Sequence, residues 1–139
     1  RNPLARNSLE LKPVMQFVSK VCSIRTINAG DSVGYNGAWT AKRESTIATI
    51  PVGYGDGYPR TVKGGTPVLV NGERAPLVGT VSMDMILVDT TDIVDVEMGA
   101  EVELWGEHIT VDELGEYSNS SGYEVLTRMP ARVLREYQG

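Results

Sequence analysis

The segment Gly53–Arg60 reads G-Y-G-D-G-Y-P-R and holds the residues of this sequence whose types and spacing could do chemistry. Glycine loses more conformational freedom on folding than any other residue. Three glycines at alternate positions therefore indicate positive φ angles, or close approach by another backbone or a ligand. The phenol of Tyr54 could exchange a proton with a bound molecule. A tight β-turn is the alternative interpretation. A dinucleotide site is rejected, because its fingerprint needs G-x-G-x-x-G opening a helix and Pro59 disfavours one.

A second candidate is Met83-Asp84-Met85, which interrupts an apolar segment. Taken alone, these residues favour an ordinary β-bulge with two buried methionines.

Metal sites are not predicted. Asp89, Asp92 and Asp95 recur at every third residue, whereas an EF-hand loop needs ligands at alternate positions, a central glycine and a closing glutamate, so a solvated acidic turn is expected. His108 is the single histidine and stands in a predicted turn, which favours a solvated side chain. Cys22 is the single cysteine, so no disulfide forms within the chain.

Composition limits the class of protein. The 139 residues fit one domain, and 15 glycines with 7 prolines predict many turns. The net charge of −5 and the scattered basic residues argue against a nucleic-acid partner. No apolar run approaches the roughly 20 residues of a membrane helix. Because Arg1 is not an initiator methionine, we expect the chain to be part of a longer protein.

Alternating apolar residues and turn signals predict mainly β structure. Asn71-Gly72 predicts a type I′ hairpin turn, and Thr110-x-x-Glu113 has the spacing of a helix capping box. We expect an antiparallel Greek-key barrel or sandwich with one or two short helices. The predicted strands are 14–27, 32–35, 46–52, 67–70, 73–78, 79–89 (interrupted near Met83), 100–105 and 132–137, and the predicted helices are 110–117 and 123–129.

Six segments, in order, resemble the carboxy-terminal domain of bacterial alanine racemase. The likeness extends over nearly the whole chain, and the G-Y-G-D-G-Y-P-R segment is its most specific part. The segments are Leu11–Met15, Val33–Gly37, Ile50–Arg60, Val68–Gly72, Val78–Met85 and Tyr123–Val125.

The resemblance implies a domain organisation. Residues 1–11 would be the tail of a preceding element or a linker, and residues 12–139 the β domain. An amino-terminal α/β barrel, outside this chain, would hold pyridoxal 5′-phosphate on a Schiff-base lysine, with no cofactor-binding residue in this domain. The partners implied are that barrel, a second subunit in a head-to-tail homodimer, and L- or D-alanine, with no nucleic acid or membrane. A cytoplasmic location is expected, or a periplasmic one for a broad-specificity enzyme.

The resemblance also implies roles for individual residues. Tyr54 matches the base that removes the α-proton of L-alanine in the partner subunit's active site. Met83 matches the residue that contacts the substrate carboxylate, and Asp84 is its neighbour. Tyr35 lies in a matching segment, but no catalytic role is assigned to it. A tyrosine has a reference pKa of about 10, so a role as base at neutral pH requires help from neighbours, and the sequence shows none beside Tyr54.

Two positions depart from the family pattern. Some members carry an arginine at the place of Thr80 in the substrate entry passage, and some carry a tyrosine at the place of Ala131. Smaller residues there could widen the entrance. We therefore expect part of an alanine racemase, an isomerase whose isolated β domain is inactive. The alternatives are a broad-specificity amino-acid racemase and, from another class, a non-catalytic β-barrel binding module.

Overall fold

The computed structural model describes residues 16–34 and 37–118. The predictions for residues 1–11, Tyr35, the helix 123–129, the strand 132–137 and Ala131 lie outside that part of the chain. Within it, nine strands, a 3₁₀ turn and one α-helix follow one another. In chain order they are β1 (Phe17–Lys20), β2 (Ser23–Ile27), β3 (Ser32–Val33), β4 (Trp39–Thr40), β5 (Ser45–Ile50), the 3₁₀ turn (Tyr54–Asp56), β6 (Pro67–Val70), β7 (Glu73–Val78), β8 (Ile86–Asp89), β9 (Glu101–Trp105) and α1 (Val111–Ser118).

Seven strands form one curled antiparallel sheet in the order β1-β9-β6-β7-β8-β5-β2, and β3 and β4 form a separate two-stranded sheet. This confirms the predicted fold class, mainly antiparallel β structure with short helix. The two edge strands of the large sheet, β1 and β2, are consecutive in the chain. The sheet is therefore curled so far that one short bend connects its two edges.

The bend at Val21–Cys22 corrects the prediction of a single long strand over residues 14–27. The Val21 N–H donates to the Ala100 carbonyl beside β9, whereas the Cys22 N–H donates to the Thr49 carbonyl of β5. The chain thus leaves one partner strand and joins another within two residues. A register irregularity between Phe17 and Val18 accompanies the change. Phe17 and Val21 are four residues apart in extended chain, so they share the core face, and both are buried.

The hairpin β6–β7 has the predicted turn. Asn71 and Gly72 both have positive φ, at 52° and 81°, as a type I′ turn requires. Pro67 pairs with Pro76 and Val70 with Glu73, so the register follows from the two-residue loop. The sequence signal was sufficient because the turn and both strands are local.

The core lies inside the curled sheet and includes Leu114 of α1. The side chains of Trp105, Tyr58, Leu104 and Leu114 are almost completely buried there. The rings of Tyr58 and Trp105 are stacked with centroids 6.5 Å apart, and Phe17 meets Trp105 edge to face at 4.6 Å. Burial raises the pKa of the Tyr58 hydroxyl. Tyr58, the second tyrosine of the G-Y-G-D-G-Y-P-R segment, is therefore a neutral core residue.

The helix α1 begins where the capping pattern predicted. The Glu113 N–H donates to Thr110 Oγ1 at 3.1 Å, which is one half of a capping box. In place of the other half, the Glu113 carboxylate pairs with the Arg74 guanidinium at 2.6 Å. α1 has eight residues, and no helix within residues 16–34 and 37–118 is long and apolar enough to cross a membrane.

Candidate functional site

The loop Gly53–Arg60, called the motif loop below, leaves β5 and turns at once. The Asp56 N–H donates to the Gly53 carbonyl at 3.0 Å, and Asp56 Oδ2 accepts from the Gly53 N–H at 3.2 Å. These bonds close the 3₁₀ turn Tyr54–Asp56, and Gly57 ends it with φ at 101°. The closed turn presents Tyr54 at the surface, where 38% of the residue is exposed.

The predicted close approach of another backbone to the glycines is confirmed. A Cβ atom at Gly53 would lie 2.2 Å from the Ser82 carbonyl oxygen, and one at Gly55 would lie 2.9 Å from the Met83 carbonyl oxygen. Neither glycine has a positive φ, so space and not backbone conformation requires them. Positive φ in this loop falls on Gly57.

The approaching segment is Ser82–Met85, called the methionine turn below. The Tyr54 N–H donates to the Ser82 carbonyl at 3.1 Å, and the Gly55 N–H donates to the Met83 carbonyl at 2.8 Å. The two candidate segments of the sequence are therefore joined by backbone hydrogen bonds. This contact corrects two predictions: β8 begins only at Ile86 instead of Gly79, and Met83 and Met85 are exposed, by 64% and 43%, instead of buried in a bulge.

A cleft of about 610 Å³, called the Tyr54 cleft below, lies at this contact. The Arg60 guanidinium lies over the Tyr54 ring, with 4.9 Å from Cζ to the ring centroid. A cation in this position is attracted by the face of the ring and restricts its orientation. The residues that line the Tyr54 cleft are Tyr54, Arg60, Thr80, Val81, Ser82 and Met83.

The third site residue predicted from the sequence, Asp84, lies in a neighbouring cleft of about 580 Å³. Thr80 and Ser82 line both clefts. Gly34, which precedes Tyr35 in the sequence, also lines the second cleft. The structure thus brings Tyr54 and Met83 together and places Asp84 in a separate cleft that shares Thr80 and Ser82 with the first.

Arg60 is the residue of this cleft that the sequence analysis missed. It is six positions from Tyr54 in the chain, and the sequence indicated no neighbour that would assist this tyrosine. The regular spacing of the glycines gives no indication of how the chain turns after Gly57, which is what brings Arg60 back over the ring. Arg60 is nevertheless part of the G-Y-G-D-G-Y-P-R segment, and this membership is the signal that could have identified it as a site residue.

The remaining candidates of the sequence lie outside the Tyr54 cleft. His108 is exposed and its Nδ1 lies 3.2 Å from Glu103 Oε1, in the connection from β9 to α1. Asp92 pairs with Arg43 at 2.8 Å on the surface. Among the described residues, no group of three or more His, Cys, Asp or Glu side chains is arranged to hold a metal ion.

Known proteins resemble this chain over most of its length. The family model described as "Alanine racemase, C-terminal domain" matches residues 14–137. An alanine racemase from Pseudoalteromonas atlantica is 54% identical over 131 residues, which cover 94% of this chain and 35% of that protein. The chain therefore spans about a third of the length of this relative.

Solved structures give the same result. The biosynthetic alanine racemase from Pseudomonas aeruginosa matches with a TM-score of 0.83 and 47% identity, over 94% of this chain and 37% of that one. An alanine racemase from Bartonella henselae with covalently bound pyridoxal phosphate matches with a TM-score of 0.78 and 38% identity, over 82% of this chain and 32% of that one.

Proposed function

This chain belongs to the alanine racemase C-terminal domain family, and from that premise we propose that residues 12–139 are the β domain of an isomerase that interconverts L- and D-alanine. The relatives that support the proposal are alanine racemases about three times as long as the part they share with this chain. The rest of the protein is proposed to be an amino-terminal barrel, and the isolated domain to be inactive.

The contact between the motif loop and the methionine turn is the observation that carries the proposal. Racemisation needs one group that takes a proton from one face of the α-carbon and another that returns a proton to the opposite face. Tyr54 is exposed, lines a cleft and has its ring beneath a guanidinium. Met83 lines the same cleft, so a substrate contacting Met83 would lie beside a group that can exchange a proton.

Charge in the Tyr54 cleft suits an amino-acid substrate. Arg60 is exposed and brings a positive charge to a cleft whose other lining residues are uncharged. A carboxylate approaching the cleft would be attracted by this charge. We propose that Arg60 orients the Tyr54 ring and draws the carboxylate inward, while Met83 contacts it when bound.

The cofactor is proposed to be pyridoxal 5′-phosphate, as in the Bartonella henselae relative. When bound, it supplies the electron sink that makes the α-proton removable. The described residues do not fit its covalent attachment, because Lys20, Lys42 and Lys63 are exposed and none of them lines the Tyr54 cleft. We therefore assign the attachment to the amino-terminal barrel.

The exposed apolar side chains around the Tyr54 cleft support a partner surface. Tyr54, Met83 and Met85 are all exposed at one place, where a solvated monomer surface rarely concentrates large apolar residues. In a head-to-tail homodimer this face would complete the active site of the second subunit. The same face should make the isolated domain self-associate.

The decisive experiment compares Tyr54→Phe with Tyr35→Phe in the intact protein. Phenylalanine keeps the ring but cannot exchange a proton. Tyr54→Phe should therefore lower racemisation by about 10²–10⁴-fold. Exchange of the α-proton of L-alanine with deuterated solvent should be lost, while exchange of D-alanine survives far better. Tyr35→Phe is the matched variant, since Gly34 brings the chain to the cleft that shares Thr80 and Ser82 with the Tyr54 cleft.

The outcomes separate the assignments. If Tyr35→Phe shows the isomer-selective loss and Tyr54→Phe retains exchange of both isomers, the proton-exchanging residue is Tyr35 and Tyr54 contributes binding only. An intact protein that racemises no amino acid would instead favour the non-catalytic binding module. Racemisation of a panel of amino acids at comparable rates would favour the broad-specificity enzyme, for which the small, exposed Thr80 between the two clefts provides room.

A further inference from the structure

One hydroxyl group closes the methionine turn. Ser82 Oγ donates to the Met85 carbonyl at 2.8 Å and accepts from the Met85 N–H at 3.1 Å. The Ser82 N–H donates to the same Met85 carbonyl, also at 3.1 Å. Both backbone polar groups of Met85 are thus bonded to Ser82, and the two residues between them, Met83 and Asp84, are held at the exposed tip of the turn.

Ser82 also carries the contact with the motif loop, through its other backbone group. Its carbonyl accepts from the Tyr54 N–H at 3.1 Å, next to the bond from the Gly55 N–H to the Met83 carbonyl. Ser82 therefore both closes the methionine turn and accepts the hydrogen bond from the Tyr54 backbone. A change in the turn would move Met83 relative to Tyr54.

We propose that Ser82 is a positioning residue, whose hydroxyl sets the place of Met83 relative to Tyr54 and so the affinity for the substrate carboxylate. The inference rests on the proposed racemase function of this face. The hydroxyl acts through the backbone and needs no contact with the substrate. Because the turn is exposed, water can satisfy the Met85 backbone groups when the hydroxyl is removed, so geometry and not folding bears the main cost.

The experiment uses Ser82→Ala, Ser82→Thr and a control in the intact protein. Ser82→Ala removes the hydroxyl, and Ser82→Thr keeps one. Ser45→Ala is the matched control, since Ser45 Oγ also donates to a backbone carbonyl, that of Arg43, at 2.8 Å. Ser45 lines neither the Tyr54 cleft nor the neighbouring cleft that Asp84 lines. The measurements are KM and kcat for both isomers of alanine, and hydrogen exchange of the Met85, Tyr54 and Gly55 amides.

We expect Ser82→Ala to raise KM about 10-fold for both isomers with kcat changed less, the behaviour of a lost binding interaction. Ser82→Thr should return KM to within about 3-fold of the parent. The Met85, Tyr54 and Gly55 amides should exchange faster in Ser82→Ala than in Ser45→Ala. A role in stability alone would lower the active fraction and the apparent kcat while leaving KM unchanged.

A racemising parent whose Ser82→Ala variant keeps the parental KM overturns this inference and leaves the proposed function standing. A parent that racemises nothing overturns the proposed function and this inference with it. If Ser82→Ala does not fold, Ser82→Cys takes its place. Its weaker hydrogen bonding should give a KM between those of the serine and alanine variants, and a parental KM with unchanged Met85 exchange would again contradict the proposal.

Discussion

The motif loop and the connection from β9 to α1 both fold back on a distant segment, but different groups hold them. In the motif loop the bonds run from backbone to backbone, to Ser82 and Met83, and two glycines provide the space. In the β9–α1 connection, side chains form the stabilising bonds. The buried Glu103 carboxylate accepts from the His108 and Ile109 N–H groups, and Arg74 pairs with Glu113.

The two kinds of stabilising bond leave different side chains available for function. Where side chains must remain exposed to a ligand or a partner subunit, the main chain and the absence of Cβ atoms stabilise the loop. Where no ligand is expected, charged side chains can form the hydrogen bonds and ion pairs that stabilise the fold. The exposed Tyr54, Met83 and Met85 stand at the first kind of contact, and the buried Glu103 at the second. Substitutions in the two regions should therefore fail in different ways.

The largest effect is expected for Gly53→Ala. The new Cβ would lie 2.2 Å from the Ser82 carbonyl oxygen, so the methionine turn must move away from Tyr54. We expect a loss of about 3 kcal/mol in the free energy of unfolding, and a fall in racemase activity larger than the loss of folded protein explains. The measurements are the urea midpoint and the activity of the intact protein.

Gly64→Ala is the control for Gly53→Ala. A Cβ at Gly64 meets no atom within 4 Å, and its φ is not in the left-handed region. This change should leave the midpoint unchanged or raise it slightly, because alanine restricts the unfolded chain. Equal midpoints for the two variants would show that the backbone contact at Gly53 is not what requires the glycine.

A smaller effect, and one that depends on pH, is expected for Glu103→Gln. Burial raises the pKa of the Glu103 carboxyl, but hydrogen bonds from the His108 backbone and ring and from the Ile109 N–H outweigh burial and lower the pKa below its ordinary 4.5. A pKa lowered by folding stabilises the folded state above the ordinary value, and the contribution is lost as pH falls through the folded-state value. The parent should therefore lose stability increasingly below pH 4.5.

Glu103→Gln should reduce that acid dependence and cost about 1 kcal/mol at neutral pH, since one amide oxygen can still accept the two backbone N–H groups. Glu101→Gln makes the same charge change at an exposed position of the same strand. Urea midpoints between pH 3 and 7 measure both. A Glu103→Gln variant with the parental slope against pH would contradict the assignment. In neither variant should KM for alanine change, in contrast to Ser82→Ala.

Local signals predicted the fold well and the site contacts poorly. Asn71-Gly72 and Thr110-x-x-Glu113 each identify an element from a few neighbouring residues. The bend at Val21–Cys22 could not be predicted, because it depends on bonds to Ala100, beside β9, and to Thr49 of β5, which are both distant in the chain.

The same limit applies to the site. The sequence places Tyr54 and Met83 in separate segments, and the bonds that join them link residues 28 positions apart. The glycine spacing did predict that some backbone must approach, but not which one. The Glu113 side chain pairs with Arg74, 39 positions away, instead of completing the capping box. Sequence patterns indicate what each segment can do locally, and long-range partners decide which possibility is used.

The smallest effect tests the β6–β7 turn, whose residues make neither of the two contacts. Asn71 has φ of 52°, a conformation that asparagine tolerates and alanine resists. Asn71→Ala should cost about 1 kcal/mol, whereas Asn71→Gly should stay near the parent. The bond from the Asn71 N–H to the Glu101 carbonyl is made by the backbone and survives in both variants. The hairpin should therefore keep its register, and KM for alanine should not change. Equal urea midpoints for the two variants would mean that the turn conformation does not limit stability. A raised KM in Asn71→Ala alone would mean that the hairpin and the Tyr54 cleft are coupled, and that the backbone contact at Ser82 does not isolate the site from the rest of the sheet.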